Sequence, residues 1–429
     1  MSEWKKVELQ DICDLIKGET AISKAISGKY PLVVTGANRK NCSSYQFDTK
    51  AVCIPLVSST GHGKKTLNYV HYQEGKFALG TILVAVIPKE DNILNAKFLH
   101  LYLSYFKDRL LVPLMRGAAN VSLPIKAISK VSVPLPSITE QEAIVKKTNN
   151  ISLEQSALLK NFFQQQTLLK KLRQAILQEA IQGKLTADWR KENPDVEPAS
   201  ELLKRIQAEK EKLITEKKIK PQKPLPPIKA EEIPFELPKG WVWCRLGKIT
   251  HSIVPNRDKP KSFTGNIPWV TISNINDNSI ELIRDYEKGL SLEETKLYNA
   301  RIMPEGSVLT SCVGRFGIAA VLRENIVANQ QLHCYVLYGN IQPEYIAFAI
   351  KKQKNYFEGC AIQTTLKYVN KTKCESMLVS FPPVNEQKAI VTKVEKLLTY
   401  CDELEQQIQQ TKTYSEQLMQ TVLKEAFTP

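Results

Sequence analysis

Apolar residues recur at alternating steps of four and three along two long stretches of this chain. In the later stretch Ile390, Val394, Leu397, Cys401, Leu404, Ile408, Leu418 and Val422 keep that rhythm, with Thr411 and Ser415 as polar members of the same register. The earlier stretch places Ile144, Ile151, Leu158, Phe162, Leu169, Leu172 and Ile176 at the matching positions, with Thr148, Gln155 and Gln165 as its polar members. Such steps describe the a/d seam of a coiled coil. No proline interrupts either stretch, and ~40 helical residues at 1.5 Å rise span about 60 Å. The polar seam positions are either tolerated imperfections or devices that set register and orientation at some cost in stability. Each helix has one apolar stripe and an obvious partner in the same chain, so the two are expected to pair. Antiparallel pairing would put the domain ahead of each helix at opposite ends; parallel pairing would crowd the domains together.

The two stretches belong to one repeat. Leu135-Pro136-Ser137-Ile138-Thr139-Glu140-Gln141 returns 246 positions later as Phe381-Pro382-Pro383-Val384-Asn385-Glu386-Gln387, and the register then holds to Ala180 and Ala426 without a gap. A period this long duplicates a whole domain with its helix and does not describe a solenoid. Each unit also opens alike, Trp4-x4-Leu9-x2-Ile12 against Trp241-x4-Leu246-x2-Ile249.

Between opening and helix the halves diverge into short alternating runs broken by Gly, Pro and Asn. Ala51–Ile54, Thr81–Ile87 and Ser307–Thr310 read as strands of a mixed or largely antiparallel sheet. Phe98–Phe106 and Tyr345–Ile350 read as one helix per half. Both halves close on a Gly followed by polar residues, Gly117–Ser122 and Gly359–Thr364. Residues 182–237 occur once. They predict a charged helix from Ala199 to Lys220 and then, through Pro221–Pro227, an extended semi-rigid connector. The fold class expected is α+β: domains at 1–137 and 238–383, long helices at 138–181 and 384–429, and a connector at 182–237, in a pseudo-two-fold repeat.

Charge sharpens this division. Residues 1–137 carry 18 Lys and Arg against 10 Asp and Glu, and residues 238–383 carry 18 against 12. The long helices hold 6 against 4 and 5 against 7, and the connector 12 against 11. The net charge of +15 therefore resides in the two domains, which suits two polyanion-binding surfaces. Nine scattered cysteines without a C-x-x-C pair read as reduced, mostly buried thiols. No apolar stretch approaches the roughly 20 residues of a membrane helix, and no signal-peptide core follows Met1. A cytoplasmic location is expected.

Catalytic patterns are missing. Gly183-Lys184 and Gly28-Lys29 lack both the earlier glycine and the following hydroxyl of a P-loop. Cys42, Cys53, His62 and His71 have no zinc-site spacing. Pro194-Asp195 with Glu216-Lys217-Lys218 imitates a nuclease spacing, but its second part falls in a charged helix. No metal site is expected.

Two divergent domains opening on Trp…Leu…Ile, each closing on Pro…Glu-Gln and a long heptad helix, resemble the specificity subunit of type I restriction–modification enzymes. The resemblance covers essentially the whole chain. Ile176–Arg190 is similar to that family's central region. Ser58–Lys64 and Phe77–Gly80 resemble one target-recognition variant, and Gly314-Arg315-Phe316-Gly317 and Asn329-Gln330-Gln331 resemble others. The resemblance implies a non-catalytic subunit whose target-recognition domains each read one half of a bipartite, asymmetric site on double-stranded DNA. The helices would act as a ruler for the unread spacer and dock two methylation subunits, which bind S-adenosylmethionine. Restriction–translocation subunits would join these. S-adenosylmethionine, ATP and Mg are then expected on the partners, and no cofactor in this chain.

Base edges are read by side chains with paired donors and acceptors, and phosphates by the same cations. Candidates of that chemistry are Asn38, Arg39, Lys40, Ser59, Thr60, His62, Lys64 and Arg116 in the first domain. In the second they are Asn256, Arg257, Lys259, Lys261, Asn274, Arg315, Gln330 and Lys367. The rival readings are a non-catalytic coiled-coil scaffold with incidental basic surfaces, and an enzyme with nuclease activity of its own.

Overall fold

The computed structural model of the chain describes residues 4–60, 63–256, 259–362 and 367–427. It divides into two compact units, Met1–Gln164 with Ile408–Pro429, and Gln165–Gln407.

The first unit opens with β1 (Lys5–Glu8), a one-turn helix α1 (Leu9–Ile12) and β2 (Cys13–Lys17). Then come β3 (Tyr30–Val33), β4 (Lys40–Cys42), β5 (Phe47–Asp48), β6 (Ala51–Pro55), β7 (His71–Gln73), β8 (Lys76–Leu79) and β9 (Leu83–Pro88). Helix α2 (Ala96–Leu110), α3 (Ile125–Ser129) and β10 (Ser132–Leu135) complete the domain. Strands β6 and β9 are continuous apolar runs because both of their faces are covered. They sit centrally in an antiparallel sheet ordered β2-β9-β6-β7, beside a second sheet ordered β4-β3-β8-β5 in which β3 and β8 run parallel. Val52, Ile54, Val84 and Val86 turn to a core shared with Phe98, Leu99 and Leu103 of α2. Asn95 caps α2, its side-chain oxygen accepting from the amides of Lys97 (2.9 Å) and Phe98 (3.2 Å). Strands β1 and β10 pair antiparallel, so the domain is closed where its chain enters and leaves.

Helix α4 (Ile138–Ile181) leaves β10 directly. It ends on Gly183, whose φ of +71° allows the Lys184 amide to reach back to Glu179 O at 2.9 Å. The connector then forms α5 (Ala187–Glu192) and α6 (Ala199–Thr215). Helix α6 stops five residues short of the expected Lys220. Lys217 adopts a left-handed φ of 56° and its amide, with that of Lys218, closes on Ile214 O and Leu213 O. The connector is no loose strap. Leu202, Ile206 and Lys210 of α6 are buried, and the Lys210 amine donates to Gly247 O (2.6 Å), Thr250 O (2.9 Å) and Gln222 (2.7 Å). The proline run is held by buried Arg245, which donates to Pro226 O, Pro227 O, Ser376 O and Glu232.

The second domain runs β11 (Val242–Arg245), α7 (Leu246–Ile249), β12 (Thr250–Ile253), β13 (Ile267–Val270), β14 (Gly289–Leu290) and α8 (Leu292–Leu297). It continues with β15 (Ile302–Met303), β16 (Val308–Ser311), β17 (Ala319–Val321), β18 (Ile326–Ala328) and β19 (Leu332–Leu337). Helices α9 (Pro343–Lys352), α10 (Lys354–Cys360) and α11 (Lys371–Glu375), strand β20 (Leu378–Phe381) and α12 (Val384–Ala426) follow. Its sheets are ordered β12-β19-β16-β17 and β14-β13-β18-β15, with β13 and β18 parallel and β11 paired to β20. Strand for strand this is the first domain again, in the region where the sequences diverge.

The repeated Glu-Gln now has a cause. Gln141 and Gln387 are fully buried. Each accepts the amide at the start of its domain's main helix, from Asn95 (2.8 Å) and Gln342 (3.0 Å). Each also donates to a proline carbonyl five residues back, Pro136 and Pro382 (2.9 Å in both). The glutamine thereby fixes the long helix to its own domain.

Within each unit the long helices run antiparallel. In the first, Ile144 and Val145 share a core with Phe427, and Lys412 lies over the Phe162 ring at 5.2 Å. In the second, Arg173 pairs with Asp402 (2.6 Å) and Glu405 (3.0 Å). The seam itself differs from the expected one. Phe162, Leu169, Ile176, Ile390, Val394 and Val422 are buried, and Ile144, Ile151, Leu397 and Ile408 half-buried. Leu158, Leu172, Leu404 and Leu418, however, are 47%, 45%, 45% and 61% exposed. The inward positions fall one residue later, at Leu159, Gln166 and Arg173 on α4 and at Leu398, Glu405, Lys412 and Met419 on α12. One half of the expected seam, Phe162, Leu169, Ile176, Val394, Cys401 and Val422, therefore keeps its place, while at the alternate levels the next residue along each helix turns inward. Arginine and lysine stems cover apolar surface while their charged heads find partners, which a hydrophobic count does not register.

Candidate nucleic-acid interface

Each domain gathers two segments into one loop cluster. In the first, residues 116–122 form a hairpin in which Arg116 and Ser122 exchange both backbone bonds at 2.8 Å, with Gly117 turning at a φ of +110°. It docks on the loop after β6, the Ser58 amide donating to Val121 O (3.1 Å) and Leu123 to Leu56 O (2.8 Å). The structure thus brings Ser59, Thr60 and Lys64 to the hairpin that carries Arg116. Ser59 Oγ accepts from the Asn68 amide (2.9 Å), and Thr60 bonds Thr66 through their hydroxyls (2.7 Å), so both close the loop. Lys64 and Arg116 are exposed. His62 lies outside the described residues.

Asn38, Arg39 and Lys40 occupy the connection into β4. Asn38 and Lys40 are exposed, while Arg39 is half-buried and turned onto β7. Its guanidinium donates to Gln73 Oε1, His71 Nδ1 and Tyr72 O, each at 3.1 Å. Burial, then the Arg39 charge, pushes His71 down to about 4, so the imidazole is neutral and can accept there.

The second domain repeats the arrangement. The Gly314 amide donates to Lys367 O (2.9 Å), Val369 to Cys312 O (2.8 Å) and Cys312 to Gln331 O (2.9 Å). This gathers Arg315, Lys367 and the Gln330 loop. Ile362 and Tyr368 pair as Arg116 and Ser122 do, 246 positions later, although the two segments share almost no sequence. Gln330 and Lys367 are exposed. Arg315 is engaged: it donates to Ile272 O (3.2 Å) and Ile275 O (3.1 Å) and pairs with Asp277 (2.8 Å). Asn274, in the loop Arg315 holds, accepts from Thr271 and donates to Ile283 O (3.2 Å). Asn256 donates to the Tyr298 and Asn299 carbonyls beside α8, on a different loop that also carries exposed Lys259 and Lys261. Arg257 lies outside the described residues. Sequence reasoning passed over Lys65 and Tyr368, both exposed on these clusters. The only signal for Tyr368 is its ladder position opposite Ile362.

The nine cysteines are free, and eight are buried. Among the described residues no group of three or more His, Cys, Asp or Glu side chains could hold a metal ion. No described helix is long and apolar enough to cross a membrane.

Two domains of one topology, each followed by a long helix, and two loop clusters bearing exposed cations define a duplicated recognition protein. Residues 1–174 and 238–411 match the type I restriction modification DNA specificity domain, and the chain belongs to that family. It is similar to the type I restriction enzyme EcoAI specificity subunit of Escherichia coli, 35% identical over 59% of this chain and 44% of that one. The EcoEI specificity subunit of the same species is 29% identical over 56% of this chain and 42% of its own length. The chain thus spans less than half of these two relatives. The EcoDI specificity subunit, also of Escherichia coli, aligns over 99% of this chain and 88% of its own at 24% identity. The fold is shared with the HsdS subunit of Thermoanaerobacter tengcongensis, with a TM-score of 0.57 at 15% identity over 100% and 97% of the two chains. It is shared also with a chain from a structure of type I restriction–modification complex assembly and conformational transition, with a TM-score of 0.62 at 16% identity over 100% and 98%.

Proposed function

We propose that this chain is the specificity subunit of a type I restriction–modification system, each domain reading one half of a bipartite DNA target. The observation that carries the reading is the repetition of one loop cluster on two domains of one topology but different sequence. Equal scaffolds would present their readers alike, and different readers make the target asymmetric. Lys64, Arg116 and Lys367 suit phosphate or base-edge contact. The chain does no chemistry itself; S-adenosylmethionine, ATP and Mg act on the methylation and restriction–translocation subunits. The helices set the unread spacer.

The exposed stripe on the helices supports docking of two methylation subunits. The first unit displays Leu158, Tyr414 and Leu418, and the second displays Leu404, Leu168 and Leu172, all between 45% and 67% exposed. The repeat maps one triad onto the other residue by residue. In an antiparallel pair the same flank of both helices faces the same side, so each triad forms one apolar patch, and such patches mark interaction sites.

Exchanging residues 1–137 for the corresponding domain of a relative tests the reading. Methylome sequencing of a host carrying the system should show one half of the motif changed and the other kept. A change in both halves at once would refute modular reading.

A further inference from the structure

In both domains one arginine ties the same two parts of the fold together, each within its own unit. By strand order β3 corresponds to β13, and β6 and β7 to β16 and β17. The joint lies between the loop that leaves β3 or β13 and the hairpin β6-β7 or β16-β17. In the first domain the arginine belongs to the loop. Arg39 reaches β7, its Nε, Nη1 and Nη2 donating to Gln73 Oε1, His71 Nδ1 and Tyr72 O, all at 3.1 Å. In the second domain it belongs to the hairpin. Arg315, between β16 and β17, reaches back to the loop, with Nε on Asp277 (3.2 Å), Nη1 on Ile272 O (3.2 Å) and Nη2 on Ile275 O (3.1 Å). The two arginines sit in different connections of the fold, so the repeat does not relate them. Two divergent sequences have each placed a guanidinium with all three nitrogens engaged at one joint. The main helix of each domain braces it: His100 Nε2 of α2 donates to Val70 O (3.0 Å), and Lys351 of α9 donates to Asp277 O (2.7 Å) and Ser279 O (2.9 Å).

The chain held at the joint is polar and exposed. Asn38 and Lys40 flank Arg39 in solvent, and Ser273 and Asn278 stand out from the second loop. A free loop loses backbone freedom when DNA orders it. A latched loop offers its amides and amines in one geometry beforehand, and base discrimination depends on that geometry. We propose that Arg39 and Arg315 are positioning residues for sequence discrimination, each latching one reading loop (34–40 and 271–279) to its domain and touching no base or phosphate itself. The proposal rests on the specificity reading above and names the residues that keep its readers in place.

The test uses the complete system in its host and the assembly purified from it. The wild-type methylome gives the motif, and binding is then measured against duplexes with single base-pair changes in each half. Absence of a bipartite motif would overturn the specificity reading and this proposal with it; every failure below leaves that reading standing. In Arg39→Ala the preference for the right base pair should fall about tenfold at one or more positions of one half-site and stay unchanged in the other. Arg315→Ala should do the converse. The slope of log affinity on log salt should keep its wild-type value, because a guanidinium turned onto protein acceptors neutralises no phosphate. Lysine keeps the charge but cannot span three acceptors, so Arg39→Lys should relax the same positions as Arg39→Ala. Gln73→Ala removes one acceptor and should relax them too, and its combination with Arg39→Ala should lose less than the sum of the two. The unaffected half-site shows in each case that the chain is folded; if Arg39→Ala fails to fold, Gln73→Ala is read in its place. Unaltered discrimination in either arginine-to-alanine variant, a salt slope shallower by about 0.9, or full discrimination in Arg39→Lys would each overturn the proposal. So would additive losses in the double variant, or relaxation of both half-sites together.

Discussion

The altered helix seam makes a sharp prediction from two leucines three residues apart. Leu169 is 7% exposed and Leu172 45% exposed, both on α4 within the second unit. Truncating Leu169 to alanine removes a buried side chain and leaves a cavity, a change that costs about 2.7–5 kcal/mol in comparable sites. Burying a whole leucine is worth ~1.5–3 kcal/mol. Leu172 keeps only about half of its surface from water and can open no closed cavity, so its truncation should cost about 1 kcal/mol. The difference, about 2 kcal/mol, is roughly thirtyfold in an opening equilibrium. Two compact units sharing their helices need not unfold in one step, so a global denaturation midpoint is the wrong assay. Amide hydrogen exchange resolved to peptides within residues 165–181 and 394–407 reads the local opening directly. The Leu169→Ala chain should exchange there much faster than wild type, and Leu172→Ala nearly as wild type. If Leu172→Ala opened the helices as much as Leu169→Ala, the regular a/d seam would be right and the altered seam wrong.

Two further outcomes follow from individual side chains. Lys64→Ala and Lys367→Ala should each make the fall of log DNA affinity with log salt shallower by about 0.9 while leaving the preferred sequence unchanged; an unaltered slope in both would remove the loop clusters from the phosphate contacts. Lys210 is held by burial at about 8, against 10.5 for an ordinary lysine. Between these values the unfolded chain binds more protons than the folded one, so stability from this site rises with pH, by at most about 3 kcal/mol, and the penalty is complete below pH 8. The stability difference between wild type and Lys210→Met should therefore grow in favour of wild type from pH 7.5 to 10.5, and a flat difference would refute the assignment.

The amino-acid pattern alone determined the duplication, the positions of both long helices and the α+β character of the two domains. These are local or periodic signals: a seven-residue rhythm over more than 30 residues in each stretch, a Glu-Gln at matched sites, and apolar runs such as Ala51–Ile54 that suit covered strands. It also located the charge, since counting Lys and Arg needs no geometry. Tertiary structure alone decided which face of each helix turns inward. At the alternate levels the a/d stripe offers leucines, whereas the next residues include Gln166, Arg173, Glu405 and Lys412, so a hydrophobic count favours the wrong face there. The choice went to the face on which Arg173 meets Asp402 and Glu405, and on which Lys412 covers Phe162. Tertiary structure also separated candidates of identical chemistry. Arg116 stands in solvent, whereas Arg39 and Arg315 are turned onto backbone carbonyls. That distinction depends on which loop lies across from the guanidinium, and loops that pair across 30 to 50 residues leave no periodic trace. The equivalence of the Arg116–Ser122 and Ile362–Tyr368 pairings was hidden for the same reason: backbone pairing preserves it, and backbone pairing does not require the side chains to agree.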